Sequence, residues 1–448
     1  METFFNGLPF LHGHFAPMVG YLVSLGIFTA TFALFSLGLS LHWGFTGLIN
    51  FGHVGFLAVG AYTTVLLSLA NVPLVLAVLA GMLLSALLGV IMGFSTLRLR
   101  EDYLAIVTIG TAEIIRLIAL NEEWLTRGAR GVYGYALPLE GWEPQRFWVV
   151  GMILVLTVIA ALGGWHWWQW LGGMIDMPLR VNQPRRGVGI LGAYLLTLVG
   201  LEWSLWSLID QLLAGGGVQV FWLLTALLCW AAGVGLLSLR YVNPRQLWRS
   251  LRREWLWLWG VNTLVAGLVG MLYRAFVTGL WEFTYKAVLL WLLLVVLAIV
   301  FWQLETWVRS PWGRVLKAIR EDEEVAKALG KNVFSYKLQS LMLGGAIAGL
   351  AGSFYAWQLT FINPDGFISL LTFQAWTIVV LGGAGSNVGV LIGATLFWAY
   401  STTTRFLPLD GGQLDALRVM IIGLLLIILM MWRPQGILGK KEELTLGR

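Results

Sequence analysis

Long apolar stretches alternate with short polar loops along almost the whole chain. A helix that crosses a membrane needs roughly 20 apolar residues. By that measure thirteen segments are candidate spans: residues 18–40, 54–70, 73–97, 102–120, 147–164, 186–209, 218–239, 256–277, 284–303, 338–357, 370–384, 386–406 and 415–432. The segments 54–70, 102–120 and 370–384 are short or glycine-rich, so we expect broken or re-entrant helices there. The pattern predicts an all-α polytopic membrane protein.

One polar stretch stands out between these spans, and we call residues 310–330 the charged segment. Eight of its last twenty residues are charged, which excludes burial in hydrocarbon. It is nevertheless typical of a helix, with Ser310 as cap, Pro311 in the first turn and Gly330 at the end. Three pairs of opposite charges lie four residues apart: Lys317–Glu321, Arg320–Glu324 and Glu323–Lys327.

The charged segment also has a thin apolar stripe, which Asp322 interrupts. The stripe consists of Val315, Ala318, Ile319, Ala326 and Leu329. A short amphipathic helix with this pattern either lies solvated or on lipid, or docks against a partner. The residue pattern leaves both interpretations open.

Basic residues are distributed unevenly among the loops. Sets of Lys and Arg follow the third, fifth, seventh, ninth and last segments, whereas the even-numbered loops nearly lack them, apart from residues 121–146. Because basic loops tend to stay in the cytoplasm, we expect the N-terminus outside and the charged segment and C-terminus inside. The first seventeen residues contain no Lys or Arg, so the first apolar stretch is expected to be a retained span.

Composition supports the membrane class and excludes several others. Hydrophobic residues make up 58% of the chain and charged residues 12%, with a net charge of +6 located in short loops. This distribution gives no nucleic-acid footprint, and the single cysteine, Cys229, gives no disulfide framework. The sequence contains no phosphate-binding loop, clustered metal-ligand motif or GxSxG motif. We therefore expect no catalytic site, metal or cofactor in this chain, and any ATP to be hydrolysed by another subunit.

Two glycine-rich interruptions occur in the apolar pattern, at residues 44–62 and 379–395. Glycine allows close helix packing, and it also occurs where a helix breaks to line a cavity. In the second interpretation, the translocation path would include Asn50, His53, Gly382 and Gly383. Alternatively, these residues serve packing and turns. The similar sequences VGFLAVGA and VGVLIGA hint at a distant internal repeat.

Glu113 and Arg116 are charged residues inside an apolar segment. They lie three apart on one helix face, and mutual pairing lowers the cost of placing them in a membrane. The pair either pins its helix to neighbours or lines a path for a zwitterionic substrate. Asp365, in the sequence NPDGF, is interpreted as turn chemistry in an outer loop.

Five sequence blocks resemble one family in its order along the chain. They are GFTGLINFGHVGFLAVGAY from Gly44, EDYLAIVTIGTAEIIRL from Glu101, SPWGRVLKAIREDEEVAKALG from Ser310, VVLGGAGSNVGVLIGA from Val379 and WRPQGILG from Trp432. Together they resemble the LivM-type permeases of high-affinity branched-chain amino-acid ABC importers. Glu324, Ala326 and Gly330 also fit the Glu-Ala-Ala-x-x-x-Gly pattern of ABC importer permeases, although Val325 stands in place of one alanine.

The resemblance implies that the charged segment is a cytoplasmic coupling helix that docks into a groove on an ATPase subunit. The residues implied in docking are Arg320, Glu321, Asp322, Glu324, Ala326 and Gly330. The implied partners are cytoplasmic ATPases, a second permease subunit in a heterodimer, an extracellular or periplasmic substrate-binding protein and membrane lipid. The implied location is the bacterial plasma membrane, and the implied substrates are branched-chain or other neutral amino acids.

The middle of the chain departs from the family. Residues 142–283 hold four candidate spans and many tryptophans, as at 165–170 and 255–259. We expect an inserted transmembrane region between an amino-terminal permease core, 1–141, and a carboxy-terminal core, 284–448. Four crossings are an even number, so this insertion leaves the charged segment in the cytoplasm. Tryptophan favours the membrane interface, which predicts lipid anchoring, with a partner-binding surface as the alternative.

Two other functions remain open. Urea and short-amide permeases share much of this pattern. A self-sufficient secondary transporter or channel is a different class, for which we would expect ionisable residues inside the membrane and stronger inverted repeats. The main charge cluster of this chain is instead helical and lies in a loop, which favours the ATP-driven importer.

Overall fold

The computed structural model describes residues 16–97, 101–142, 144–174, 270, 272–404 and single positions between 412 and 436. The chain divides into two units, which we describe separately. The larger contains residues 24–144 and 288–448, and the smaller contains residues 1–23 and 145–287.

Helices account for nearly all regular structure in the described ranges. They are α1 (Ala16–Leu39), α2 (His53–Leu69), α3 (Leu74–Thr96), α4 (Glu101–Asn121), α5 (Glu123–Thr126), α6 (Arg146–Met174), α7 (Tyr285–Arg309), α8 (Pro311–Glu321), α9 (Glu323–Ala328), α10 (Val333–Leu359), α11 (Leu370–Gly382) and α12 (Asn387–Thr403). Helix α1 continues as a π-helix over Ser40–Phe45. Two short strands, β1 (Val132–Tyr133) and β2 (Phe361–Ile362), pair antiparallel with Val132 opposite Ile362.

The predicted membrane class is confirmed. Within the described ranges, seven helices are long and apolar enough to cross a membrane, and α2 is a shorter apolar helix of 17 residues. The predicted spans 186–209 and 218–239, and most of 256–277 and 415–432, lie outside the described residues. The total of thirteen spans therefore stays a prediction. The expectation of broken or re-entrant helices at 54–70 and 102–120 is wrong, because α2 and α4 are continuous and the interruption lies before α2, in residues 46–52.

Close backbone contacts hold together the core of the larger unit, in which α10 packs against both α2 and α3. A Cβ added at Gly60 of α2 would overlap the backbone of Gly349 in α10, and one added at Gly352 would overlap the carbonyl of Leu57. One added at Gly89 of α3 would lie 2.7 Å from the carbonyl oxygen of Leu341. Small residues let membrane helices approach this closely, so the first glycine-rich block does serve tight packing.

The smaller unit contains α6 and a helical stretch at 272–281. The Arg146 Nη1 donates to the carbonyl of Trp281 at 3.0 Å, and its guanidinium lies 4.9 Å from the centre of that ring. The stretch 255–259 lies outside the described residues. The interpretation of 142–283 as an insertion with lipid-anchoring tryptophans stays a prediction.

We expect Gly60→Ala to destabilise the larger unit, because its methyl group would push α2 away from α10. Overpacking of this kind costs about 1–3 kcal/mol. The matched control is Gly110→Ala, where an added Cβ meets nothing within 4 Å. Since glycine costs about 1 kcal/mol in a helix interior relative to alanine, the control should be neutral or stabilised. Thermal unfolding of the purified protein in detergent measures both, and equal midpoints would contradict the packing described above.

Candidate functional site

The charged segment forms two short helices rather than the single helix expected from its sequence. The chain is extended at Asp322, with φ −155° and ψ 109°. The Asp322 carboxylate accepts from the backbone N–H groups of Glu324 at 2.9 Å and Val325 at 3.0 Å. This side-chain cap starts α9 and ends the run of α8, because a capping residue adopts a non-helical conformation. Arg320 and Glu324 consequently lie in different helices.

Of the three residues predicted to start and end the charged segment, Pro311 and Gly330 act as expected, whereas the prediction that the Ser310 side chain caps the helix is wrong. Pro311 occupies the first turn of α8, as predicted. The Ser310 hydroxyl donates to the Trp307 carbonyl at 2.6 Å instead of capping α8. At the other end, Gly330 has φ +75°, and the N–H of Lys331 reaches the carbonyl of Ala326 at 3.1 Å. This Schellman arrangement requires the left-handed conformation that glycine adopts easily.

The apolar stripe of the charged segment faces mainly its own chain. Ile319 and Ala326 are buried and pack with Val333 at the start of α10. Two stripe residues are instead exposed, namely Ala318 and Leu329, the latter at 72%, and so is Val325, at 54%, which does not belong to the stripe. The exposed side also carries Glu321, Asp322 and Glu324, and one basic residue, Lys327, whose Nζ lies 3.0 Å from Glu324 Oε1. We call Glu321, Asp322, Glu324, Val325 and Leu329 the outer face of the segment.

An ion pair anchors α9 to α10. The Lys337 Nζ lies 2.5 Å from Glu323 Oε2, and the side chain of Lys337 is only 9% exposed. Burial opposes the charged form of Glu323, but hydrogen bonds from Lys337 and Lys327 outweigh it and lower the pKa of the carboxyl. This anchor is not among the sequence-based predictions, although the chain carries a signal for it, a single lysine one turn inside an apolar helix.

Arg320 attaches α8 to the end of helix α1. Its Nη1 donates to the carbonyl of Gly44, and its Nη2 lies 2.9 Å from Glu321 Oε1. Gly47, at φ +79°, brings its backbone against the same side chain, since a Cβ there would lie 3.2 Å from Arg320 Cγ. The Lys317 Nζ lies 5.8 Å from the centre of the Phe45 ring. The charged segment thus rests on the point where α1 ends.

The chain between α1 and α2 is a buried helix break, which comprises the π-helix Ser40–Phe45 and residues 46–52. Some of its backbone groups bond within the break, as Leu48 N–H does to the His42 carbonyl at 2.9 Å, and side chains of other helices bond to others. The Trp376 Nε1 donates to the Asn50 carbonyl at 3.0 Å, and the Phe51 N–H donates to Thr108 Oγ1 at 3.1 Å. Buried backbone that is not helical needs such partners, because an unpaired buried N–H or C=O group costs free energy. The first glycine-rich block therefore combines a broken helix with tight packing.

The predicted path residues Asn50 and His53 lie inside the larger unit and are fully buried. The His53 Nε2 donates to the Phe35 carbonyl at 3.0 Å, and its ring stacks on Phe35 at 4.6 Å. The Asn50 Nδ2 donates to His42 Nδ1 at 3.2 Å, and its Oδ1 accepts from the Gly52 N–H at 2.9 Å. These contacts favour the packing role, which the sequence had offered as the alternative.

The second glycine-rich block is the turn between α11 and α12. Gly383 ends α11 at φ +113°, and a Cβ at Gly382 would overlap the backbone of Gly389 in α12. The same turn meets the helix break, because a Cβ at Gly44 would lie 2.7 Å from the backbone nitrogen of Gly385. The structure therefore brings the two glycine-rich blocks together at the charged segment.

Glu113 and Arg116 form the predicted pair, but they lie toward the other end of α10. The Arg116 Nη2 lies 2.6 Å from Glu113 Oε1, and its Nη1 lies 3.1 Å from Asp365 Oδ1. Asp365 follows α10, whose 27 residues span about 40 Å from the charged segment. The contact with Asp365 ties α4 to the loop before α11, and it is not among the sequence-based predictions. The side chain of Glu113 remains 43% exposed.

Comparison with known proteins agrees with the resemblance. A family profile described as "Branched-chain amino acid transport system / permease component" matches residues 21–170 and 187–430. The chain belongs to this family. It is therefore a multi-pass membrane protein and a permease component. The match includes most of 142–283, the region predicted to be an insertion.

Individual relatives are more distant. The branched-chain amino acid permease protein LivM of Salmonella typhimurium is 28% identical over 423 residues, covering 93% of this chain and 69% of the relative. The LivM protein of Escherichia coli is 27% identical with the same coverage. The fructose import permease protein FrcC of Rhizobium meliloti is 30% identical over 151 residues, covering 33% of this chain and 39% of the relative. No solved structure matches the chain.

We expect Lys337→Met to loosen α9 from α10, because Glu323 loses its buried partner. Since Glu323 is one-third exposed and keeps Lys327, the loss should be about 1 kcal/mol, below that of a fully buried pair. Hydrogen exchange of residues 323–330 should accelerate accordingly. The exposed Lys331→Met is the matched control, and equal exchange in both variants would contradict the anchor.

Proposed function

We propose that this chain is one of two permease subunits of an ATP-driven importer for branched-chain amino acids. The observation that carries the proposal is the charged segment, whose two helices are fixed inward by Arg320 and Glu323 and present an acidic and apolar face outward. Such a face suits helix-in-groove recognition by a partner protein. The family membership supports the transport role, and the LivM relatives support the substrate class.

The proposed partner of the outer face is a cytoplasmic ATPase. Glu324 has an 83% exposed side chain, and the neighbouring Val325 and Leu329 expose apolar surface that a groove would cover. Ala326 is buried in the permease itself and Gly330 ends α9, so their roles in docking are indirect. In this proposal the ATPase binds the nucleotide, and the permease binds no cofactor and catalyses no reaction.

The proposed orientation of the chain in the membrane follows from the proposed ATPase partner. ATP is supplied in the cytoplasm, so the charged segment lies there, with the C-terminus inside and the N-terminus outside. The basic loops support this orientation. The loop that contains Asp365 then lies at the outer side, where it can face an extracellular binding protein. The bacterial plasma membrane is the proposed location.

The second permease subunit is proposed to cover the face of α4 that carries Glu113. This face is otherwise apolar, with exposed side chains that include Ile106, Ile114 and Leu117. A carboxylate that faced lipid would be costly, whereas one at a subunit interface or a polar path is not. Glu113 and Arg116 are the path residues that this geometry favours, and Gly382 and Gly383 act through the turn beside the helix break.

Substrate identity is tested by transport. Membrane vesicles that contain the permease with its co-purified subunits and binding protein should accumulate leucine, isoleucine and valine only when ATP is supplied on the side of the ATPases. Ionophores should leave this uptake unchanged. Uptake driven by an ion gradient without ATP would establish the secondary transporter instead. Uptake of urea, short amides or fructose in place of leucine would reassign the substrate.

The docking role is tested by Glu324→Lys. In this proposal the acidic outer face meets a groove of opposite charge, so a lysine at position 324 would face like charges. Such a juxtaposition costs several kcal/mol, and the amount of ATPase that co-purifies with the permease should fall at least about tenfold. The permease itself should remain in the membrane in normal amount. Glu123→Lys, an exposed charge reversal toward the opposite end of the unit, is the matched control. Full ATPase recovery with Glu324→Lys would remove both the docking role and the orientation based on it.

A further inference from the structure

We propose that Arg320 is a positioning residue that ties the charged segment to the helix break, and is not itself an ATPase contact. The proposal rests on the proposed function, in which the outer face binds the ATPase. It divides the charged residues of the segment into those that hold it to the permease and those that meet the partner.

The position of Arg320 supports an inward role. Its side chain is 17% exposed, compared with 83% for Glu324 on the outer face. The guanidinium donates to the carbonyl of Gly44, which belongs to a different helix more than 270 residues away in sequence. A docking contact would have to leave this partner to reach the ATPase.

The Gly44 carbonyl, which Arg320 binds, needs a hydrogen-bond donor from outside its own helix. The last carbonyls of a helix have no partner within it, and they carry the negative end of the helix dipole. The chain leaves the helix after Phe45, and the N–H of Leu48 bonds back to His42 at 2.9 Å. Gly44 thus lies in the last turn, where a cation is favourable. Arg320 acts as a C-terminal cap supplied by another helix.

Tight contacts make the connection between Arg320 and the helix break stiff. Gly47 leaves room for Arg320, since a Cβ there would lie 3.2 Å from Arg320 Cγ. On another side, Gly44 approaches the backbone of Gly385 in the turn between α11 and α12. Close-packed backbones transmit displacement because no flexible side chain separates them. A push on α8 would therefore move the end of α1 and the α11–α12 turn together.

The first experiment measures position without any partner. In a Cys229→Ser background, spin labels at Ser95→Cys on α3 and Ala318→Cys on α8 report the distance between two exposed sites in the larger unit. We expect a narrow distance distribution in the parent and in Arg314→Gln, an exposed arginine of the same helix. Arg320→Gln should broaden it. Arg320→Lys, which keeps a cationic donor, should restore most of the narrow distribution. An unchanged distribution in Arg320→Gln would overturn the proposal.

The second experiment uses the assembled importer. A hydrogen bond from a charged donor shifts a two-state equilibrium by roughly tenfold or more. We expect Arg320→Gln to keep the ATPase bound while substrate moved per ATP hydrolysed falls about tenfold. Loss of ATPase binding equal to that of Glu324→Lys would make Arg320 a docking contact and overturn the proposal. If no ATPase co-purified with the parent protein, the proposed function would be refuted. The distance measurement would still show whether Arg320 holds the charged segment to the helix break.

Discussion

The larger unit depends on one constraint, namely that buried backbone which leaves a helix must find its hydrogen bonds within the protein. The chain leaves α1 after Phe45 and enters α2 at His53. Residues 46–52, the second part of the helix break, are surrounded by α4, α10 and α11. The side chains of Thr108, Ser340 and Trp376 on these helices bond to them. The break is therefore a junction at which several helices must meet in one arrangement.

The buried charged residues near the two ends of α10 each have a specific partner. Lys337 and Arg320 are both largely buried, and each binds a specific acceptor, the carboxylate of Glu323 or the carbonyl of Gly44. Removing such a group from water is costly unless a partner compensates, so both residues hold the segment in place. At the other end of α10, Arg116 binds Glu113 and Asp365. The two ends of α10 thus have polar contacts of different kinds. One end is ion-paired with the charged segment, and the other lies near the partly exposed ion pair on α4.

Glycine determines how closely these elements approach. Gly60, Gly349 and Gly352 let α2 and α10 pack backbone to backbone, while Gly44 and Gly385 join the break to the α11–α12 turn. Dense packing of this kind limits independent motion, so a displacement at the charged segment is shared with the helices that it touches. This close packing is the feature on which the proposed coupling between the charged segment and the helix break rests.

The sequence by itself determined the membrane class, the positions of the described spans, the turn at Gly330 and the family resemblance. These features depend on local composition, hydrophobic length and short motifs, which a single chain displays directly. Only the tertiary structure decided that Asp322 divides the charged segment, because its carboxylate can serve either a solvated helix face or a cap. It also decided that Asn50 and His53 are buried, that Arg116 reaches Asp365 and that Lys337 binds Glu323. Arg116 and Asp365 are 249 residues apart, and sequence spacing carries no information about such a contact. Lys337 and Glu323 are only 14 residues apart, but they meet because the chain turns between α9 and α10, and the path of that turn is a tertiary feature.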